Sequence, residues 1–552
     1  MIKKLLTLLC MQLALCCTSF AANYLTFTAE EDNSSFSIVD HNIKSNIFYS
    51  LDNGKTWKQL TGQPVSLAKG KRALLKGGKP EGTPAWRNYS NFKMEGSIAA
   101  SGSVMSLVDG NGEGKTIPYA YCFYGLFQDC TSLTQAPELP ATTLAKGCYK
   151  GMFSGCWELR QAPELPATTL EDECYSGMFR ECLRLKKAPK LPATTLTEGC
   201  YEELFFKCYN LTQVPELPAT TLAEGCYAYM FHKCSKLTQA PELPATTLAK
   251  GCYHGMFLEC TGLTQAPELP ATTLAENCYQ WMFLGCISLT KAPELPATIL
   301  AESCYYAMFS RCYSLRQAPE LPATTLARKC YWLIFNECTS LTQAPELPAK
   351  TLAEECYKWM FCECTSLTKA PKLPATTLEK GCYKWMFSEC TSLTKAPELP
   401  ATTLEERCYN GMFRECTNLT KAPNLPATTL AERCYSEMFD DCTSLTQAPK
   451  LPATTLAEGC YKWMFSGCTS LTQAPELPAT TLAEECYKKM FNKCTKLSRI
   501  KVAFTDWGTG TDYWLEDVAE NGTFICPKKL PKKYGDDSIP EGWKIVKEDF
   551  NK

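Results

Sequence analysis

The sequence predicts an α/β solenoid of short parallel strands and short helices, closed at each end by a β-rich cap. Two observations carry this prediction. Thirty cysteines form fifteen pairs with a spacing of eight residues, and the first members of these pairs recur every 26 residues from Cys122 to Cys486. The segment Leu-Pro-Ala-Thr-Thr-Leu, or a close variant, falls between them fourteen times. No unit of this length can bury its own leucines, so the units must stack.

Each 26-residue repeat is predicted to hold one strand. The period lies within the range of leucine-rich repeats and below that of helix-pair repeats. Each repeat also carries two prolines, such as Pro475 and Pro478, which disfavours two helices per repeat. Residues 471–474 are predicted to form a short strand that ends at Pro475, because proline lacks the N–H group that a sheet ladder needs.

A short helix is predicted after the prolines. Thr481 is placed to cap it, and Glu484 three residues later would complete a capping box. Leu482, Cys486 and Met490 are spaced four apart, so they would share one buried face.

Residues 1–21 are interpreted as an export signal. Two lysines precede a short apolar stretch, and cleavage is expected after Ala21. A lipid anchor at Cys16 or Cys17 is the alternative; cleavage is favoured because Leu15 stands where a lipidation site would have a small residue. We therefore expect an exported protein, at the cell surface or secreted, with membrane attachment only through such an anchor.

The predicted domains are a β-rich cap at 22–118, the solenoid at 119–498 and a C-terminal cap at 499–552. Cys526 is the only cysteine outside the solenoid after residue 21. Both caps have β-like runs and would cover the open ends that a stacked array leaves.

One stretch of the N-terminal cap resembles the Asp box of sialidase-type propellers. Ser50, Asp52, Gly54 and Trp57 match its Ser-x-Asp-x-Gly-x-Thr-Trp pattern. Residues of that motif hold a β-hairpin turn and do no chemistry. A structural hairpin is the preferred interpretation, since Asn-Gly is itself a hairpin signal, and the alternative is a relic of a catalytic fold.

The repeat pattern Met-Phe-x-x-Cys-x-x-Leu-x-x-Ala-Pro-x-Leu-Pro-x-x-x-Leu resembles the BspA-like leucine-rich repeats. The resemblance covers residues 119–498 and implies a solenoid in an exported bacterial surface protein. Some members of that family bind host matrix proteins or other cells. The chain departs from the family pattern by a second cysteine, such as Cys486, where isoleucine is common, and by an extra residue between strand and Leu-Pro.

Composition argues against several classes of function. With 56 basic and 58 acidic residues and no basic stretch, the chain gives no support for nucleic-acid binding. Three histidines and the lack of a glycine-rich phosphate loop give no basis for a catalytic site or a cofactor. No metal site is predicted; the close couple Cys362-Glu363-Cys364 is a weak redox or metal signal.

The paired cysteines are predicted to be two ladders of buried free thiols. If residues 460–468 were helical, Cys460 and Cys468 would lie about 12 Å apart, whereas a disulfide needs Cα atoms within about 7 Å. Export favours disulfides, so intra-repeat disulfides are the alternative.

One variable position supplies the candidate binding residues. The third residue after the first cysteine of each repeat varies between glycine, alanine, leucine, glutamate, lysine and aromatic residues, and this tolerance suggests an exposed position. Its aromatic members are the candidate ligand-binding residues Tyr229, Trp281, Trp359, Trp385 and Trp463. They would form a partner surface, or else each ring lies flat on the neighbouring repeat and covers it.

The function expected from these observations is a non-enzymatic exported binding scaffold, an adhesin or protein-interaction module for a host matrix or cell-surface protein. The alternative is a surface glycan-binding protein of a nutrient-capture system, with its sugar site in the N-terminal cap. An enzyme of the sialidase kind would rest on a single Asp-box match.

Overall fold

The computed structural model describes residues 22–85 and 87–549, and the predicted export signal lies outside them. The described chain forms two compact units that divide between residues 193 and 194. We describe each unit separately; the predicted domain boundaries remain a prediction. Within the described ranges, no helix has both the length and the apolarity needed to cross a membrane.

The first unit begins with two β-sheets. The larger sheet has the strand order β4-β3-β6-β1-β8-β9 and the smaller one has the order β5-β2-β7. Their elements are β1 (Leu25–Ala29), β2 (Ser34–His41), β3 (Ile47–Ser50), β4 (Lys58–Gln59), β5 (Val65–Leu67), β6 (Arg72–Gly77), β7 (Tyr89–Glu95), β8 (Ile98–Ser101), α1 (Ser106–Asp109) and β9 (Leu133–Gln135).

Alternating apolar residues place the core of this domain between the two sheets. Leu25, Phe27 and Ala29 of β1 are fully buried, as expected of a strand with one face on a core. The Phe27 ring meets Phe36 of β2 edge-on at 5.2 Å and Phe92 of β7 at 5.0 Å. The two sheets therefore share one aromatic core.

The larger sheet continues into the first repeat. Strand β8 pairs in parallel with β9, with Ile98 opposite Leu133. The Cys130 thiol donates a hydrogen bond to the Phe92 carbonyl at 3.2 Å, and Phe127 packs against Phe92 at 5.2 Å. The N-terminal domain thus covers the apolar end of the repeat array in this unit, as a capping domain must.

The predicted helices are absent: α1 is the only helix in the described part of the chain. We call the stretch between the two cysteines of a repeat the paired-cysteine segment. Within it, the N–H groups of alternate residues point to the next repeat: Tyr149 donates to the Cys174 carbonyl at 3.0 Å, and the same pattern continues along the segment. The N–H groups of the residues between them donate three residues back, as Cys148 does to Ala145.

This alternation uses every backbone group of the segment once. One residue donates to the next repeat and accepts locally, whereas its neighbour donates locally and accepts from the preceding repeat. A helix would satisfy all of these groups within its own segment. Here the backbone N–H and C=O groups form many of their hydrogen bonds with neighbouring repeats instead. The helix prediction was wrong for this reason.

Every fourth residue of the paired-cysteine segment has a left-handed backbone. In one repeat these residues are Glu355, Trp359 and Glu363, with φ of 53°, 56° and 60°. The αL conformation costs a residue other than glycine about 1–2 kcal/mol. Its regular recurrence prevents a continuous right-handed helix, and it explains why glycine is frequent at these positions.

The strand predicted in each repeat is reduced, in most repeats, to single residues in parallel bridges. Gln239 pairs with Gln265 and Thr221 with Thr247, each 26 residues apart. The exposed Thr481 and Glu484 cap no helix, since none follows them.

Pro475 does not end its strand as predicted. Strand β10 (Gln473–Leu477) runs through this proline. A register shift between Gln473 and Glu476 accommodates it, because a bulge leaves one residue out of the ladder.

The core of the repeats consists of columns of identical residues. Tyrosine rings that follow the first cysteine stack on one another, as Tyr383 does on Tyr409 at 5.7 Å, and phenylalanine rings do the same, as Phe257 does on Phe283 at 5.6 Å. Of the predicted stripe, Cys486 and Met490 are fully buried and Leu482 is half-buried.

Both cysteines of each repeat lie in the core, except for the half-buried Cys122, and the described cysteines form no disulfide with one another. The second cysteine of a repeat donates a hydrogen bond to a phenylalanine carbonyl of the preceding repeat, as Cys468 does to Phe439 at 3.1 Å. Burial raises the pKa of the Cys434 thiol to about 12. These thiols are therefore protonated packing groups at neutral pH.

The second unit ends in a parallel sheet of the order β10-β11-β12-β13. It adds β11 (Arg499–Val502), β12 (Thr523–Pro527) and β13 (Lys544–Glu548) to the strand of the last regular repeat. Trp514 stacks on Tyr487 at 6.2 Å and occupies the end of the tyrosine column. The C-terminal segment is β-rich, as predicted, and it extends the parallel ladder of the repeats.

A first prediction concerns the left-handed positions. Gly177 has a φ of 58°, and a Cβ atom added there would meet nothing within 4 Å. Replacing Gly177 with alanine should therefore lower the free energy of unfolding by about 1 kcal/mol through backbone strain alone. Chemical denaturation measures this change, and an unchanged or higher stability would contradict the left-handed assignment.

A second prediction concerns the thiols. The purified protein, denatured without reductant and treated with an alkylating reagent, should take up label at nearly all repeat cysteines, since each already has a place in the core. Intact-mass spectrometry counts the labels. A mass two hydrogens lower per repeat, with no label, would show disulfides instead.

Candidate functional site: an aromatic band on the repeats

Aromatic residues cluster on one surface of the second unit, at two adjacent positions of the paired-cysteine segment. These are the second and third residues after the first cysteine of a repeat. We call this cluster the aromatic band; its members are Tyr229, His254, Trp281, Tyr306, Trp332, Trp359 and Trp385. Each of them is partly exposed.

The rings of the band contact one another from repeat to repeat. The contacts are Tyr229 to His254 at 4.9 Å, His254 to Trp281 at 5.0 Å, Trp281 to Tyr306 at 6.0 Å and Tyr306 to Trp332 at 4.9 Å. All lie within the range of favourable aromatic pairs. The band is therefore a continuous surface over these repeats.

A lysine lies between Trp332 and Trp359, the two neighbouring members of the band whose rings do not contact each other. The Lys358 ammonium group lies 4.4 Å from the Trp332 ring and 5.8 Å from the Trp359 ring. Trp359 then contacts Trp385 at 5.6 Å. Cation–π attraction of this kind holds the Lys358 ammonium group beside the two rings.

The histidine of the band is neutral at physiological pH. Burial lowers the pKa of His254 to about 4, because a charged imidazole loses hydration there. Its Nε2 atom lies 2.7 Å from the Tyr229 hydroxyl. This hydrogen bond fixes both rings in place.

Glycines of the following repeat provide room for two of the aromatic side chains. A Cβ atom on Gly255 would lie 2.6 Å from the Tyr229 ring, and one on Gly411 would lie 2.7 Å from the Trp385 ring. Each ring thus has one face on the next repeat, as the more conservative interpretation expected. Both residues are nevertheless partly exposed.

The structure brings four of the five candidate residues into the band. Trp463 lies apart from them, under the Lys489 ammonium group at 4.7 Å. Sequence reasoning missed His254, Tyr306 and Trp332, which occupy the position before the variable one. Aromatic residues recurring at that adjacent position were the signal that could have revealed them.

The family model of the BspA type leucine rich repeat region, with six copies of the repeat, matches residues 175–316, 308–446 and 407–509, which together are more than half of the chain. The chain belongs to this family. A crystal structure of a TLR13–ssRNA13 complex has 15% sequence identity and a TM-score of 0.21, over 64% of this chain and 44% of that chain. No curated protein matches the chain.

The N-terminal domain of this BspA-type protein holds the Asp-box-like stretch in a tight hairpin between β3 and β4. The Ser50 hydroxyl donates to Asp52 at 2.7 Å and accepts the Gly54 N–H at 2.8 Å. The N–H of Thr56 donates to Asp52 at 2.9 Å, and this bond is the main reason why the pKa of Asp52 falls to about 2. Trp57 packs on Tyr24 at 5.1 Å. All these contacts hold the turn.

A small tyrosine-lined cavity of about 70 Å³ lies in the same domain. Tyr89, Tyr119 and Tyr121 contribute to its wall. Tyr89 stacks on His41 at 4.5 Å. Many of its other lining residues are apolar, among them Ile47 and Leu107, and its volume has room for only a few water molecules.

A third prediction tests how Trp385 is seated. Gly411→Ala should cost more stability than Gly177→Ala, because its methyl group would overlap the Trp385 ring as well as strain the backbone, and overpacking adds about 1–3 kcal/mol. In a Trp385→Gly background, the cost of Gly411→Ala should fall to that of Gly177→Ala. Equal costs in both backgrounds, measured by a double-mutant cycle, would show that the ring lies elsewhere.

Proposed function

We propose that this BspA-type protein is a non-enzymatic exported binding scaffold whose aromatic band binds a host matrix or cell-surface protein. The observation that supports this proposal is the row of half-exposed rings from Tyr229 to Trp385, which Lys358 bridges between Trp332 and Trp359. In this role the protein is an adhesin or a related protein-interaction module.

The band has the size and the chemistry of a protein interface. Six repeat steps of about 4.8 Å give it a length of about 30 Å, comparable with one side of a standard interface. Aromatic residues supply much of the binding energy at such interfaces. The rings of the band are held by the next repeat, so binding would order few additional side chains.

Export is part of the proposal. The predicted signal at residues 1–21 supports it, and so does membership of a family whose resemblance implies surface proteins. Attachment through a lipid at Cys16 or Cys17 remains the alternative to release after cleavage.

A glycan ligand is the second candidate, because Tyr89, Tyr119 and Tyr121 lie together around the cavity of the N-terminal domain and their rings would stack on a sugar at its mouth. Aromatic faces stack on sugar rings as readily as on protein side chains. This alternative places the ligand at Tyr119 and its neighbours, not on the repeats.

The fourth prediction separates the two candidates. The chain from residue 22 onward is applied to arrays of matrix proteins and of glycans, with a band variant (Tyr306→Ala, Trp359→Gly and Trp385→Gly) and a cavity variant (Tyr119→Ala). The band substitutions copy residues that other repeats hold at these positions, such as Ala228 and Gly411. We expect binding to a matrix protein that the band variant weakens by about tenfold or more, as loss of hot-spot residues does.

The matched control replaces Tyr209 and Tyr313 with alanine, since both are exposed aromatics of the repeats outside the band. It should bind as the unmodified protein does. Loss of glycan binding in the cavity variant, with the band variant unaffected, would favour the second candidate. Equal loss in the band variant and the control would refute a role specific to the band.

A further inference from the structure

A cysteine that the repeat pattern does not require lies beside two glutamates in the second unit. Cys362 precedes the second cysteine of its repeat by two residues, where other repeats have serine, as at Ser310, Ser388 and Ser466. Glu363 follows it, and Glu389 occupies the position of Glu363 in the next repeat. The stacking of repeats therefore brings one thiol and two carboxylates together.

The three side chains converge. The Cys362 Sγ atom and one carboxylate oxygen from each of Glu363 and Glu389 lie within 4.8 Å of one another. Cys362 is buried, and both glutamates are half-exposed. The cluster therefore has a closed inner side formed by the thiol and an outer side that solvent reaches.

A fourth polar group faces this cluster from the core. Ser388 is fully buried, and the neighbour of its hydroxyl is the Cys362 thiol, with no further hydrogen-bond partner. It lies close enough to the Cys362 thiol to lower the pKa of that thiol, against the larger effect of burial, which raises it. A thiol is only a weak hydrogen-bond partner, so this hydroxyl is able to turn toward an ion that the thiol coordinates.

The local charge is negative. Glu337, Glu363, Glu389 and Glu415 form one column along successive repeats. Arg311 pairs with Glu337 at 3.0 Å and Arg414 with Glu415 at 2.5 Å, whereas Arg414 is 3.9 Å from Glu389. Burial, and then the neighbouring carboxylates, raise the pKa of Glu363. A cation placed between Glu363 and Glu389 would relieve this repulsion.

We propose that Cys362, Glu363 and Glu389 form a binding site for a divalent transition-metal ion of the Zn²⁺ type. A thiolate and two carboxylates are ligands that Zn²⁺ accepts, at bond lengths of about 2.0–2.3 Å, and the Ser388 hydroxyl or a water molecule would occupy the fourth position. On binding, the Cys362 thiol loses its proton to solvent and its sulfur coordinates the ion. Rotation of the half-exposed glutamate side chains supplies the small contraction that this requires.

The test uses the full chain from residue 22, reduced with a phosphine that does not bind metal as a thiol would. Co²⁺ replaces Zn²⁺ as the probe, because a thiolate bound to Co²⁺ gives a charge-transfer absorption band. We expect one Co²⁺ per chain with this band, displaced by Zn²⁺. Cys362→Ser should abolish the band, and this variant copies the serine of other repeats, so it should fold.

Glu363→Gln and Glu389→Gln should each weaken binding by about tenfold or more, a loss that even outer-shell substitutions produce. Glu259→Gln is the matched control, since Glu259 occupies the same position of a repeat 104 residues earlier and lies beside Lys233. It should leave the affinity unchanged. Thermal denaturation of each variant verifies that it is folded.

Two results would overturn the proposal. One is the lack of a charge-transfer band in the folded protein at Co²⁺ concentrations well above that of the protein. The other is a band that persists in Cys362→Ser, which would place the metal on the repeat cysteines.

Discussion

The structure depends on the hydrogen bonds that join alternate backbone groups of one repeat to the next. In the paired-cysteine segment of residues 148–156, alternate N–H groups, such as that of Phe153, have their acceptors 25 residues further along the chain. A single repeat therefore cannot satisfy its own backbone, and it cannot bury its own leucines either. Both deficits are removed by stacking, so the repeats are interdependent in backbone as well as in core.

These hydrogen bonds fix the register between repeats. The register in turn limits which side chains each position accepts. Every residue lies beside its equivalents in the neighbouring repeats. Aromatic rings and thiols are uncharged and pack against identical neighbours, so they form the tyrosine, phenylalanine and cysteine columns of the core. Carboxylates in a column repel one another. Arginines lie beside three members of the Glu337–Glu415 column, and the proposed metal ion would reduce the repulsion between Glu363 and Glu389.

The left-handed positions connect the backbone to the aromatic band. Trp359 and Trp385 have φ of 56° and 57°, a conformation that glycine adopts without strain. Glycine is therefore frequent at this position, the third after the first cysteine, because the backbone there is left-handed as well as because the position is partly exposed. Where glycine does occur, as at Gly411, it also makes room for the ring of the preceding repeat.

The sequence by itself determined the repeat, its length, the burial of its paired cysteines and the β-rich ends, because a strict 26-residue period requires stacking and stacking requires an apolar core and caps. It also pointed to Trp281, Trp359 and Trp385 as surface residues.

Only the tertiary structure decided the conformation of the paired-cysteine segment. Leu482, Cys486 and Met490 repeat every four residues, and this spacing suits a helix as well as a segment with a left-handed residue at every fourth position. The choice between them depends on where the N–H groups find acceptors, and those acceptors belong to another repeat. The band residues His254 and Tyr306, and the approach of Glu389 to Cys362, became visible for the same reason: each is a contact across 25 or more residues that only the register of the stack creates.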